Sequence, residues 1–399
     1  MQTTFIKSRS IFNMNGLTFI KIESLFLIAI LLFFASCVKN HDHPCAEDTP
    51  VIKVKVMATG LNNPRGLKFG PDGNLYVAEG GIGGTQSSTG CDQVIPPIGP
   101  YTGSATGGRI SKISWNGERT TMVDNLPTSQ TSAESGALVS GVADVAFIGR
   151  NLYAILAGAG CSHGVPSLPN GIVRIKGYNN WSLIADLSAW QQDHPVLHPE
   201  EDDFEPDGTW YNMITVNGNF FAVEPNHGEL VKVNAGGKIS RVLDISASQG
   251  HIVPTALAFD RGNFYVGNLN PFPIVDGSSH IYKITPEGEI SIVQSDFTTV
   301  LGIAFDEWHR MYVLENTTGN PFPTPGTGRV IRINDSGTRD VIASGLNLPT
   351  GITFGPDGKL YVSNWGFGPP AIGGGQILQI TVKNCEGQDL PSAPRFGKD

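Results

Sequence analysis

Leu61–Val77 reads LNNPRGLKFGPDGNLYV and Leu346–Val362 reads LNLPTGITFGPDGKLYV. The chain carries nearly the same text twice, 285 residues apart (346 − 61), with four weaker copies in between. One such unit cannot bury its own apolar face, so neighbouring copies must cover it. Each unit opens with an apolar triplet: Leu67-Lys68-Phe69, Val145-Ala146-Phe147, Ile214-Thr215-Val216, Leu257-Ala258-Phe259, Ile303-Ala304-Phe305 and Ile352-Thr353-Phe354. A tight turn follows, Gly70-Pro71-Asp72-Gly73 in the first unit and Gly355-Pro356-Asp357-Gly358 in the last, where Pro and Gly preset the angles of a chain reversal. A second strand comes next, centred on Tyr76, Tyr153, Phe221, Tyr265, Tyr312 or Tyr361. The third alternates apolar with polar, as in Ile281-Tyr282-Lys283-Ile284 and Val330-Ile331-Arg332-Ile333, the period of a strand with one wet face.

A fourth strand follows in five units, for example Thr120–Val123 and Asp340–Ala343. The sixth lacks one because the chain soon ends, and Val51–Ala58 (VIKVKVMA) has the right pattern to replace it. The expected fold is therefore all-β: a six-bladed β-propeller closed by an N-terminal strand that completes the last blade. Ring closure leaves only short, protected strand edges.

The N-terminus reads as an export signal. Leu25–Phe34 (LFLIAILLFF) is a ten-residue apolar run, too short to span a bilayer as a helix. It ends in Phe34-Ala35-Ser36-Cys37, which resembles a bacterial lipoprotein box with Cys37 as the lipidated residue; Phe34 stands where such boxes prefer Leu. Met14 offers a start of more usual signal length, and a plain signal peptide or an uncleaved anchor is the alternative. The expected organisation is residues 1–36 signal peptide, 37–50 tether, 51–385 propeller and 386–399 tail, in a monomer at the cell envelope of a bacterium. Removing residues 1–36 takes away Lys7, Arg9, Lys21 and Glu23 and moves the net charge from 27 − 36 = −9 to 24 − 35 = −11. So acidic a chain argues against nucleic acid and anionic membrane surfaces as partners, leaving the lipid anchor as the expected membrane contact.

With Cys37 taken up by the lipid, four cysteines are left for pairing, an even number in an exported chain. Cys385 follows the third strand of blade six and Cys45 precedes its fourth, while Cys91 and Cys161 fall in equivalent loops of adjacent blades. The register thus predicts Cys45–Cys385 and Cys91–Cys161, the first locking the ring by roughly 3–5 kcal/mol in the loop-entropy model.

Turns between first and second strands are short throughout, whereas the loops after the second strands are long (80–108, 158–171, 269–279, 316–328), as is the connector 186–208. In a propeller these expansions share one face, and loops on a rigid scaffold are where binding concentrates. At the second-strand ends the aligned residues are Glu79, Leu156, Glu224, Asn268, Glu315 and Asn364. Five carry side-chain oxygens and are candidates for an axial polar cluster able to offer ligands to Ca²⁺; the alternative is that they cap strand ends. The lactonase and gluconolactonase propellers, which this pattern resembles, hold calcium at a broadly similar place, but Asp306 falls in an opposite-face turn and no pocket Asp stands out as a base. Gly160-Cys161-Ser162-His163-Gly164 matches G-x-S-x-G but lacks the strand-to-helix setting of a nucleophile elbow, so Ser162 is discounted. His163, His227 and His251 map to the loop-bearing rim as general-base or metal-ligand candidates. The acidic run Glu200, Glu201, Asp202, Asp203, Glu205 and Asp207 reads as a solvated connector, without the spacing of an EF-hand.

From about Val51 to Val382 the chain resembles the ScyD/ScyE family of bacterial propellers. The resemblance rests on Asn63-Pro64-Arg65-Gly66-Leu67, Gly141-Val142-Ala143-Asp144-Val145-Ala146-Phe147, Pro254-Thr255-Ala256-Leu257, Val266-Gly267-Asn268-Leu269 with Pro271-Phe272-Pro273, and Pro349-Thr350-Gly351. The family has no firmly assigned reaction, so the resemblance implies a fold and no catalytic residues; Glu200–Asp207 is more acidic than the family pattern. The expected function is binding of a small molecule, glycan or protein at the loop-bearing face. The alternative is a metal-dependent lactonase-like hydrolase or a quinone-dependent sugar dehydrogenase.

Overall fold

The two Gly-Pro-Asp-Gly turns fold alike. Gly70 N–H donates to Asn74 O at 2.8 Å and Gly355 N–H to Lys359 O at 2.8 Å, while Gly73 and Gly358 adopt φ of 79° and 73°. In each, the Asp accepts from the Tyr four residues on, Tyr76 Oη to Asp72 at 3.1 Å and Tyr361 Oη to Asp357 at 3.0 Å. A Cβ on Gly70 or Gly355 would lie 2.6 or 2.5 Å from that tyrosine ring, which is why glycine opens both turns. The computed structural model describes residues 51–200, 204–334, 336–366 and 371–383.

The two turns join first to second strands in the first and last of six antiparallel sheets. Blade one runs Pro64–Phe69, Leu75–Glu79, Thr102–Ile113 and Arg119–Gln130, with two short flanking strands. Blades two to five repeat the meander from Val142–Ile148, Asn212–Val216, Pro254–Asp260 and Val300–Phe305 as their first strands. Blade six is assembled from both ends of the chain: Gly351–Phe354, Leu360–Asn364 and Gly375–Lys383, then Val51–Leu61 outermost. Val54 pairs with Ile380 and Val56 with Leu378 across that seam. The propeller closure expected from the repeats is therefore present.

The blades are joined by aromatic contacts. The ring in the middle of each second strand meets a ring of the following blade: Tyr76–Phe147, Tyr153–Phe220, Phe221–Phe264, Tyr265–Phe305, Tyr312–Phe354 and, across the closure, Tyr361–Phe69. Blade three ends its first strand in Val216 rather than Phe, and there the second-strand Phe220 serves instead. Such pairs contribute about 0.5–1.5 kcal/mol each beyond area burial.

Near the axis a second set of contacts links neighbouring blades. Thr255 Oγ1 donates to Val300 O at 2.5 Å, Thr350 Oγ1 to Pro64 O at 2.6 Å and Ser363 Oγ to Arg65 O at 2.6 Å. A Cβ on Gly351 would sit 2.5 Å from Arg65 O, so glycine lets blades six and one approach this closely.

Tyr361 is fully buried in the closing seam. Tyr361→Ala should lower unfolding free energy by about 3–5 kcal/mol, the range for deleting a large buried ring, and Tyr361→Phe by about 1 kcal/mol. Denaturant midpoints measure both; a Tyr361→Ala midpoint equal to wild type would contradict the seam's importance.

Candidate functional site

Glu79, Glu224, Asn268, Glu315 and Asn364 each stand at the end of a second strand. First strands line the axis, and these residues lie one strand farther out, each tied within its own blade. Glu79 accepts from Asn62 N–H at 2.6 Å and Arg109 Nε at 2.8 Å, and from Ser111. Glu315 accepts from Thr298 N–H at 2.7 Å and Arg329 Nε at 2.5 Å. Glu224 accepts from Thr209 N–H at 2.8 Å and His227 N–H at 2.5 Å. Asn364 Oδ1 accepts from Asn347 N–H at 2.8 Å; Asn268 donates to Ile252 O at 3.0 Å and accepts from His280 N–H at 2.7 Å. Their shared task is to latch the segment entering the first strand to the end of the second. Their side chains engage backbone N–H groups and, for Glu79 and Glu315, guanidinium ions. Among the described residues no group of three or more His, Cys, Asp or Glu is arranged to hold a metal.

The axis is centred on a different acid. Asp144, third in the first strand of blade two, is buried and accepts from Val145 N–H at 2.8 Å, Asn212 Nδ2 at 2.5 Å and Met213 N–H at 3.0 Å. Asn212 Oδ1 in turn accepts from Leu257 N–H at 2.8 Å, so two side chains satisfy backbone donors of blades two, three and four. On its other side Asp144 packs on Gly66, where a Cβ would lie 1.9 Å from Oδ1. Burial pushes the Asp144 carboxyl up to about 6, against the pull of Lys68 and the three donors. The space between Lys68, Asp144, Asn212, Gly302 and Thr350 is about 20 Å³, room for one water or a small ion and far too little for a sugar. The mouth above it, toward the long loops, holds the Arg65 guanidinium 6.0 Å from the Tyr211 ring centroid.

The loop-bearing face is braced. Cys91 and Cys161 are bonded, joining the long loops of blades one and two, with Cα atoms 5.6 Å apart. The expected pair Cys45–Cys385, and Cys37, lie outside the described residues. Ile274 N–H donates to Pro321 O at 2.8 Å and Asn320 Nδ2 to Asp276 at 2.9 Å, joining the loops of blades four and five. Large apolar side chains stand exposed on these braced segments: Ile82, Ile95, Leu197, Val275 and Phe322. The opposite face also exposes rings, at Trp115, Tyr178 and Trp308, but on tight turns.

Ser162 is buried in a single helical turn, Cys161–His163, and its Oγ and N–H both donate to Asp207 Oδ2, at 2.7 and 2.8 Å. Gly160 is required there, because a Cβ would fall 2.1 Å from Asp207 Cγ. The His163 ring lies elsewhere, with Nδ1 3.0 Å from Ser129 Oγ and Nε2 3.4 Å from Glu205. No imidazole stands between Ser162 and Asp207, so the hydroxyl is a structural donor. Glu205 also accepts from Tyr101 Oη at 2.7 Å and from Thr209. Burial works to raise its pKa, but His163, Thr209 and Tyr101 outweigh it and hold the carboxyl below its usual range. Glu205 and Asp207 are thus buried anchors, a correction to the solvated-connector reading of the acidic run. Glu200 is half-buried, and Glu201, Asp202 and Asp203 lie outside the described residues. His251 sits between a short helix, Ser246–Gln249, and the first strand of blade four. Nothing in the repeat marks Asn212, and the one signal for Asp144 is its place in the GVADVAF segment, the only acid directly before an apolar triplet.

No family model and no curated protein matches the chain. Solved structures do resemble it. A putative oxidoreductase (glucose dehydrogenase) from Thermus thermophilus is 15% identical, with 83% of this chain and 100% of that one covered, at TM-score 0.51. The PQQ-bound aldose sugar dehydrogenase of Streptomyces coelicolor is 14% identical, with 84% and 99% covered, at TM-score 0.50. A protein of unknown function from Bacteroides thetaiotaomicron is 12% identical, with 84% and 77% covered, at TM-score 0.52. At these identities the likeness shows the fold alone.

A raised folded pKa means that Asp144 stays protonated in the native state after it has ionised in the unfolded chain. Its contribution to stability therefore falls as pH rises from roughly 4 to 6. Relative to Asp144→Asn, wild type should lose melting temperature across that window and then run parallel above it. A constant gap from pH 4 to 7 would contradict the buried-acid assignment.

Proposed function

We propose that this chain is an exported, lipid-anchored propeller of the ScyD/ScyE type whose loop-bearing face is a binding platform. The observation that supports this most is the bracing. Long loops of unlike sequence are tied between blades by a disulfide, by the Ile274–Pro321 backbone bond and by the His163–Glu205 contact. Long segments cost entropy to order, and ordering them on a rigid ring pre-forms a recognition surface. Exposed Ile82, Ile95, Val275 and Phe322 give that surface apolar contact area. The tight axial space directs a ligand larger than a small ion to the face rather than into the channel.

Two measurements test the reading. In an envelope-bearing host, the mature chain should begin at Cys37, carry acyl chains by mass spectrometry and partition into detergent; Cys37→Ser should leave it in the aqueous phase. Acylation at no cysteine would sink the anchor. Second, calorimetric screening with glycans, peptides and small metabolites should yield a ligand whose affinity falls about tenfold or more in Val275→Glu/Phe322→Glu, the loss of roughly 1.4 kcal/mol. Trp308→Glu on the opposite face should leave it unchanged. Equal loss in both, or turnover of a lactone with Ca²⁺ or of a sugar with a quinone, would replace the platform by the enzyme reading.

A further inference from the structure

Both ends of the propeller leave blade six at the same level. Its outermost strand begins at Val51, which pairs with Lys383, where the third strand ends. Ile380 of that third strand pairs with Leu360, the first residue of the second strand, beside the Gly355–Gly358 turn. Val51 and Lys383 therefore lie at the tight-turn face, opposite the long loops. The lipid expected on Cys37 stands 14 residues before Val51 (51 − 37), a span of at most ~50 Å at full extension. The chain thus runs to its membrane from the tight-turn side.

Two tryptophans and a tyrosine stand exposed on turns of that face: Trp115 at 49%, Tyr178 at 68% and Trp308 at 41%. Trp115 lies between the third and fourth strands of blade one, and Tyr178 holds the same place in blade two. Trp308 lies between the first and second strands of blade five. All three turns are fixed. Trp115 stacks on Phe69 with centroids 5.4 Å apart, and the Arg310 guanidinium lies 4.8 Å from the Trp308 ring. Asn179, next to Tyr178, donates through Nδ2 to Asp124 of blade one at 2.7 Å. His309, next to Trp308, has Nδ1 2.6 Å from Asp260 of blade four. The rings are held out to solvent on braced turns, so little ordering entropy is lost when they meet a partner.

Their placement selects that partner. In a ring of six, blade five stands across the axis from blade two, so Tyr178 and Trp308 lie on opposite sides of the face. A small ligand does not reach both, whereas a planar surface does. Tryptophan and tyrosine favour the headgroup zone of a bilayer, where an apolar ring and a polar N–H or O–H are accommodated together. Charge adds little, because exposed Arg150, Lys176 and Arg261 at the turns of this face are set against Glu118, Glu287 and Glu307. Attachment through a lipid makes the contact intramolecular, so rings of modest affinity suffice.

We propose that the tight-turn face is the membrane-docking surface of the anchored chain, with Trp115, Tyr178 and Trp308 seated in the headgroup layer. That orientation turns the braced loops of the platform away from the bilayer and toward their ligand. The inference rests on the lipid anchor at Cys37 proposed above.

The full acylated chain, reconstituted into vesicles of phosphatidylethanolamine and phosphatidylglycerol, is compared by hydrogen exchange with Cys37→Ser in solution. Amides of Ser114–Glu118, Gly177–Asn180 and Asp306–Arg310 should exchange about threefold or more slowly on the vesicle. The long loops 80–108 and 316–328 should keep their solution rates. Acylated Trp115→Gln/Tyr178→Gln/Trp308→Gln should lose the turn protection while the lipid still holds it on the vesicle; exposed positions tolerate such changes, and its melting temperature checks the fold. Independently of any variant, lipids brominated near the headgroup should quench the wild-type tryptophan emission. Turn amides that exchange equally on and off the vesicle, protection of the long loops instead, or protection undiminished in the triple variant would overturn the docking face. Turn protection that grows with protein concentration in the absence of vesicles would assign the face to a second copy of the chain and equally overturn it. A chain without acyl groups at Cys37 would remove the anchor and this inference together. An acylated chain with unprotected turns would remove this inference alone.

Discussion

The aromatic ring at the centre of each second strand packs against a ring of the next blade, six times around the axis, and the sixth contact, Tyr361 on Phe69, joins residues from opposite ends of the chain. This seam sets how far one blade is turned from its neighbour. Once that spacing is fixed, Asp144 reaches Gly66 on one side and Met213 N–H on the other, and Thr350 reaches Pro64. The axial hydrogen bonds can form only if the aromatic seam holds the first strands at that separation. An open ring would leave the Asp144 carboxylate without its donors from blade three.

The same constraint orders the functional face. Glu79, Glu224, Glu315 and Asn364 each clamp the incoming segment to the end of a second strand. With the entry points fixed, long excursions begin and end on rigid posts, and inter-blade bonds brace them further. Blade two has Leu156 at the clamp position. Its following loop is instead secured by Asn170, which accepts from Ala159 N–H and donates to Asp207 O and Gly208 O.

Much of the architecture was legible in the sequence because it is periodic. The apolar triplets, the Gly-Pro-Asp-Gly turns and VIKVKV at the front specified six blades and their closure. The site was less legible for a physical reason. Glu79, Glu224, Asn268, Glu315 and Asn364 share a position in the repeat, but a shared strand-end position suits a ligand site and a strand cap equally well, and the repeat alone does not distinguish them. Glu205 and Asp207 looked solvated because they sit in a run of acids; their burial depends on Tyr101, Ser162 and His163, which arrive from other blades. Asp144 occurs once, so periodicity could not mark it.

Native-state hydrogen exchange on the Val51–Leu61 strand probes the ring directly. If closure is what holds the blades in register, amides paired between Val51–Leu61 and Gly375–Lys383 should exchange only with global unfolding, at the same free energy as the strands of blades two to five. Exchange of that seam well below the global value, with the other blades still protected, would show that the remaining blades stand without it and would contradict the account.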